Sequence, residues 1–192
     1  MRWYDYFKPK NKVTNMDVIH ITDSNEQVLY GLNFTNREFW HPIIAPADKD
    51  FNLFVCIPLA LQVIRDFFTK QYGREIAILI TSTYRPFDPI TMPPAHKVPP
   101  PAVDSVALDE TLREEIINKI RLEFKRWEQS ELVAGILKTG CNVMIIENTC
   151  LHLHYRENNL NYHPEYTPQH FYIGEWQPSK TNPMGINVCY SV

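Results

Sequence analysis

The sequence predicts an α+β domain. Two segments with apolar residues at helical spacing flank a β-branched run of strand length, and two further strand-length runs joined by a pair of turn residues follow them. With 192 residues, 44% apolar and 21% charged, the chain can bury a substantial core without disulfide or metal scaffolding. Nineteen Lys+Arg against 22 Asp+Glu leave a net charge of −3, so no global positive field is available to gather nucleic acid or anionic lipid.

Residues 1–32 hold short β-like pieces, Val18-Ile19-His20-Ile21 and Val28-Leu29-Tyr30, around Asp23-Ser24-Asn25, and read as an N-terminal hairpin or arm. From Ile57, the apolar residues Leu61, Ile64, Phe67 and Phe68 recur at helical spacing, with Pro58 in the first turn and Gly73 placed to stop the helix. Residues 76–81 form a β-branched strand that reads as buried on both faces. Residues 85–101 contain seven prolines, which excludes a helix or a central strand and leaves a loop of restricted backbone. Such stiffness suits a loop that presents a side chain, and equally a plain surface connector.

Residues 109–127 form the clearest helix. Thr111 and Glu114 fit a capping box, and Leu112, Ile116, Ile120 and Phe124 make one apolar stripe. A short helix over 131–138 closes at Gly140, and 142–147 with 150–156 read as a hairpin turning at Asn148-Thr149. Residues 157–192, with many Asn, Pro, Tyr and Trp, read as an extended C-terminal tail. Both ends are expected to wrap the surface or contact neighbouring subunits.

The four cysteines (Cys56, Cys141, Cys150, Cys189) are far apart and form no CxxC pair, so they read as reduced and mostly buried, as in a protein folded in a reducing cytoplasm. No secretory leader and no membrane span is expected, since no apolar stretch approaches the roughly 18 residues that a spanning helix needs.

Few residues carry an obvious chemistry. His96 lies in the proline-rich loop, and Asp104 interrupts the apolar run Ala102-Val103-Asp104-Ser105-Val106, where a carboxylate is costly unless paired or bound to a cation. His152 and His154 sit two apart on a strand and project from one face. Imidazole with carboxylate is a ligand set suited to Zn²⁺, and three protein ligands leave a fourth position for water. From spacing alone, a satisfied buried Asp beside a surface HxH strand explains the same residues.

Four ordered pieces add to this. Asn33-Phe34-Thr35-Asn36-Arg37-Glu38-Phe39, Leu61-Gln62-Val63-Ile64-Arg65-Asp66, Ile80-Thr81-Ser82-Thr83-Tyr84-Arg85, and His96…Asp104 with Leu151-His152-Leu153-His154-Tyr155-Arg156 resemble, in order and rough spacing, the M15 zinc peptidases. That family comprises D-Ala-D-Ala carboxypeptidases and phage endolysins and shares the Hedgehog/DD-peptidase fold. The resemblance covers residues 33–156 and implies a small antiparallel sheet packed by helices, flanked by an N-terminal arm (1–32) and a C-terminal tail (157–192).

The resemblance also implies Zn²⁺ held by His96, Asp104 and His152, with Tyr84 and Arg85 holding an anionic group of a peptidoglycan stem peptide. Arg85 pairing with an acidic neighbour is the structural alternative. Three departures stand out. The His96-to-Asp104 interval is one residue longer than the family's, and Pro99-Pro100-Pro101 replace its glycine region. The family's catalytic carboxylate position, three residues before the last ligand, is Thr149, which leaves Glu147 as the nearest general base. His154 replaces the Asp of the family's HxD, as a catalytic accessory or as the ligand in place of His152. Two functions follow: a zinc peptidase of endolysin type acting at the cell wall, or the same fold without activity, serving as a structural or binding component such as a phage virion part.

Overall fold

A computed structural model describes residues 17–86, 95–97, 99–155 and 171–176, and the backbone of 94, 177 and 186–189. Most of the two ends expected to make subunit contacts, together with Arg156, lies outside these residues.

The chain is α+β. The first strand among the described residues, β1 (Val18–Ile21), pairs antiparallel with β2 (Phe51–Phe54), not with the Val28 segment. The expected local hairpin is therefore replaced by a long-range ladder, with Ile19 opposite Leu53. Val28 and Leu32 are buried in the main core instead. Between these strands, α1 (Asn36–Trp40) begins at Thr35, whose N–H donates to the Glu38 carboxylate at 2.7 Å.

α2 (Cys56–Tyr72) ends as expected at Gly73, which adopts the left-handed conformation (φ 63°). The strand β3 (Ile78–Ser82) alternates buried and half-buried residues, so it is not fully covered on both faces. It is followed by β4 (Val103–Ala107), α3 (Arg113–Lys125), α4 (Glu131–Lys138), β5 (Val143–Glu147), β6 (Cys150–His154), β7 (Tyr172–Gln177) and β8 (Ile186–Cys189). The expected Thr111–Glu114 capping box is not what starts α3. Asp109 instead caps a 3₁₀ turn over Glu110–Leu112, accepting from the Thr111 N–H (3.1 Å) and hydroxyl (2.6 Å). Ser130 caps α4 by accepting from the Val133 N–H at 3.1 Å.

Six strands form one sheet in the order β3-β4-β6-β5-β7-β8. The expected small antiparallel sheet is thus corrected to a mixed one, because β7 joins β5 in parallel and carries β8 with it. On one face, Ile80, Val103, Met144, Ile146, Leu151, Leu153 and Ile173 share a core with Leu61, Ile64 and Phe68 of α2, with Ile116, Ile120 and Phe124 of α3, and with Leu132, Val133 and Ile136 of α4. Burying these apolar stripes is the main stabilising term. Arg121 of α3 grips the buried Glu175 of β7 through two nitrogens (2.6 and 2.9 Å), tying the late strands to the helical layer. Among the described residues no helix is long and apolar enough to cross a membrane.

Candidate metal centre

The opposite sheet face holds the polar cluster. Asp104 of β4 and His152 of β6 are direct register partners, and Ile145 of β5 lies opposite His152 on its other side. This row places a carboxylate and an imidazole side by side without any loop having to order. The His152 Nδ1 lies 2.8 Å from Asp104 Oδ1.

His96 reaches the row from the proline-rich loop. The turn Pro94–His96 is clamped at its last two residues, since the Arg85 N–H donates to the His96 carbonyl and the Ala102 N–H to the Ala95 carbonyl, each at 2.7 Å. The His96 ring is fixed as well. Its Nδ1 donates to the Thr83 carbonyl at 2.7 Å, and Thr83 is held in turn by its hydroxyl on the Phe39 carbonyl. A carbonyl only accepts, so Nδ1 carries the proton and Nε2 is directed at Asp104 Oδ2, 3.4 Å away. The proline-rich loop thus turns His96 toward Asp104 and not away from it.

His96, Asp104 and His152 are all buried, and one ligand atom from each lies within 4.8 Å of the others. Donor atoms on a tetrahedral zinc with bonds of ~2.0 Å sit about 3.3 Å apart, close to the His96–Asp104 separation. The His152–Asp104 contact is shorter, at hydrogen-bond length, and a cation between them would take the place of that proton. A metal-ligating histidine typically anchors its other ring nitrogen on a carbonyl, as His96 does. Ser82, the register partner of Asp104 on β3, is fully buried, and its hydroxyl has no hydrogen-bond partner among the described residues. The residues present thus fit a divalent cation. Burial alone would raise the Asp104 carboxyl, but hydrogen bonds and charges from His152 and His96 outweigh it and hold it well below the usual carboxylate range.

Glu147 closes β5 at the edge of the cluster, with Oε1 3.7 Å from His152 Nδ1. Desolvation pushes its carboxyl upward, against the opposing pull of His152, His96 and Arg85. Arg85 is thus within electrostatic reach of Glu147. His154 lies on the same strand face, its ring centroid 6.2 Å from that of His152, and is not in the converging group. Tyr84 is placed elsewhere: its ring is buried in the core, 5.5 Å from that of Phe51.

Cys150 joins this face without a cue in the local sequence. Its apolar neighbours suggest a buried packing thiol, yet Cys150, His152 and His154 alternate with Leu151 and Leu153 along β6, so all three share the site face. Burial, with the charges of Asp104 and Glu147, pushes its thiol strongly upward.

The chain matches no family model, no curated protein sequence and no solved structure.

Proposed function

We propose that the chain is a zinc-dependent hydrolase that cleaves peptide bonds in peptidoglycan stem peptides. The observation that carries this reading is the convergence of His96, Asp104 and His152, buried together on the sheet face opposite the main core. Those three residues would hold the ion through His96 Nε2, the Asp104 carboxylate and a ring nitrogen of His152. When bound, such an ion supplies Lewis-acid polarisation of a carbonyl and acidification of water.

The protein's own groups do the rest. Glu147, at the edge of the cluster, takes the proton of the attacking water on its carboxylate and returns it to the departing amine. Its desolvated setting suits that exchange. Arg85 binds a carboxylate of the substrate peptide through its guanidinium, and His154 stabilises charge that develops beside the cluster. Substrate class and bond type rest on the resemblance of the ordered motifs to the M15 peptidases.

The test is hydrolysis of purified peptidoglycan, read as released muropeptides. Cleavage that is lost on chelation, restored by zinc and abolished in Glu147→Ala supports the reading. A folded, zinc-loaded protein that cleaves no muropeptide refutes it.

One observation favours a second reading. The His152–Asp104 hydrogen bond pairs two of the three residues with each other without any ion. The same fold would then be a structural or binding component, of the kind a phage particle assembles from, and the purified protein would contain no stoichiometric metal.

A further inference from the structure

We propose that Asp104, Glu147 and Cys150 form a second, overlapping cation site for a thiophilic divalent ion, and that filling it withdraws Glu147 from catalysis. The withdrawal rests on Glu147 being the base; the site itself does not.

Glu147 and Cys150 face each other directly across the two-residue turn that joins β5 to β6, so their side chains emerge together on the site face. One ligand atom from each of Asp104, Glu147 and Cys150 lies within 4.8 Å of the other two. The Cys150 thiol is pinned at the turn by donating to the Glu147 carbonyl at 3.2 Å. All three residues are at least partly buried, unlike the solvated acidic patches common on protein surfaces. A sulfur beside two carboxylates selects softer ions such as Zn²⁺ or Cd²⁺ over Mg²⁺ and Ca²⁺.

Asp104 belongs to both groups, and this fixes the order of filling. The group with two imidazoles is buried throughout, whereas Glu147 and Cys150 are only partly so, and it fills first. The second ion must displace the Cys150 proton to solvent as the sulfur–metal bond forms, and it is repelled by the first across the shared carboxylate. It therefore binds more weakly. Once bound, it occupies the Glu147 oxygens that would accept the water's proton.

Titration of the metal-free full-length protein with Co²⁺ tests this by near-ultraviolet thiolate-to-cobalt charge transfer. The first equivalent should give no such absorption and the second should give it; Cys150→Ser should bind one equivalent and never show it. Absorption on the first equivalent would place Cys150 on the same ion as the histidines and overturn the second site. Two equivalents retained by Cys150→Ser, or only one bound by the unmodified chain, would overturn it as well. With zinc, muropeptide hydrolysis should rise over the first equivalent and fall severalfold over the second, and Cys150→Ser should lose the fall. Hydrolysis undiminished at two bound equivalents overturns the withdrawal of Glu147. Two cations bound with the cobalt signature but no hydrolysis at any loading sinks the peptidase reading and leaves the second site standing.

Discussion

Asp104 and His152 are paired twice, as opposite residues in the β4–β6 ladder and as side chains joined at 2.8 Å. The sheet register therefore holds two of the three candidate ligands, and only His96 has to be brought in from a loop. That division makes metal binding and folding mutually supportive, since an ion bound only by the native arrangement stabilises it by mass action.

Zinc at 100 times its dissociation constant should stabilise the native state by about 2.7 kcal/mol. Melting followed by circular dichroism should show a rise of roughly 5–10 °C on loading, reversed by chelation, for a chain of this length. His96→Ala should lose most of that rise, keeping at most what zinc at the weaker Asp104–Glu147–Cys150 group supplies.

Glu147→Gln keeps the shape of the side chain and removes its basicity. Muropeptide release should fall by about 10²-fold or more, with the first zinc equivalent still bound. A variant as active as the unmodified chain would assign the proton transfer elsewhere.

Gly135 on α4 predicts a departure from simple helix propensity. Alanine there normally gains up to about 1 kcal/mol, but a Cβ at this position would lie 2.9 Å from Val63 Cγ1 on α2. Val63 is stiff at χ1 and cannot swing aside. Gly135→Ala should therefore lower the urea midpoint, by an amount equivalent to about 1 kcal/mol. Combining it with Val63→Ala should cost less than the sum of the single changes, a coupling readable in a double-mutant cycle.

Much of this arrangement is legible in the sequence where the cue is local. Gly73 ends α2, Asn148 turns the β5–β6 hairpin with φ 53°, and the alternation around His152 and His154 puts both on one face. What the sequence leaves open is pairing at a distance. The four residues of β1 say nothing about a partner some thirty positions on, and the parallel docking of β7 on β5 depends on tertiary contacts such as Arg121–Glu175. Asp109 displaced Thr111 as the cap because both are good cap formers, and the 3₁₀ turn decided between them. Cys150 carries no local cue, since a lone cysteine beside apolar residues is usually packing, and only register sets it opposite Glu147.

Burial pushes the Cys141 thiol from 9.0 up to about 12. The unfolded chain thus loses this proton first as pH rises, and folding stability, fully present below about pH 9, should decline between pH 9 and 12. Cys141→Ala should flatten that decline in urea unfolding measured across the range. An unchanged slope would show that other groups govern the alkaline limb.

The most direct test of the account is the zinc content of the protein after loading and exhaustive dialysis, with folding of each variant verified by circular dichroism. One tightly held equivalent in the unmodified chain, lost in His96→Ala, Asp104→Asn and His152→Ala alike, is the predicted result. A folded, unmodified chain that retains no zinc, or variants that retain it undiminished, would contradict the proposed centre.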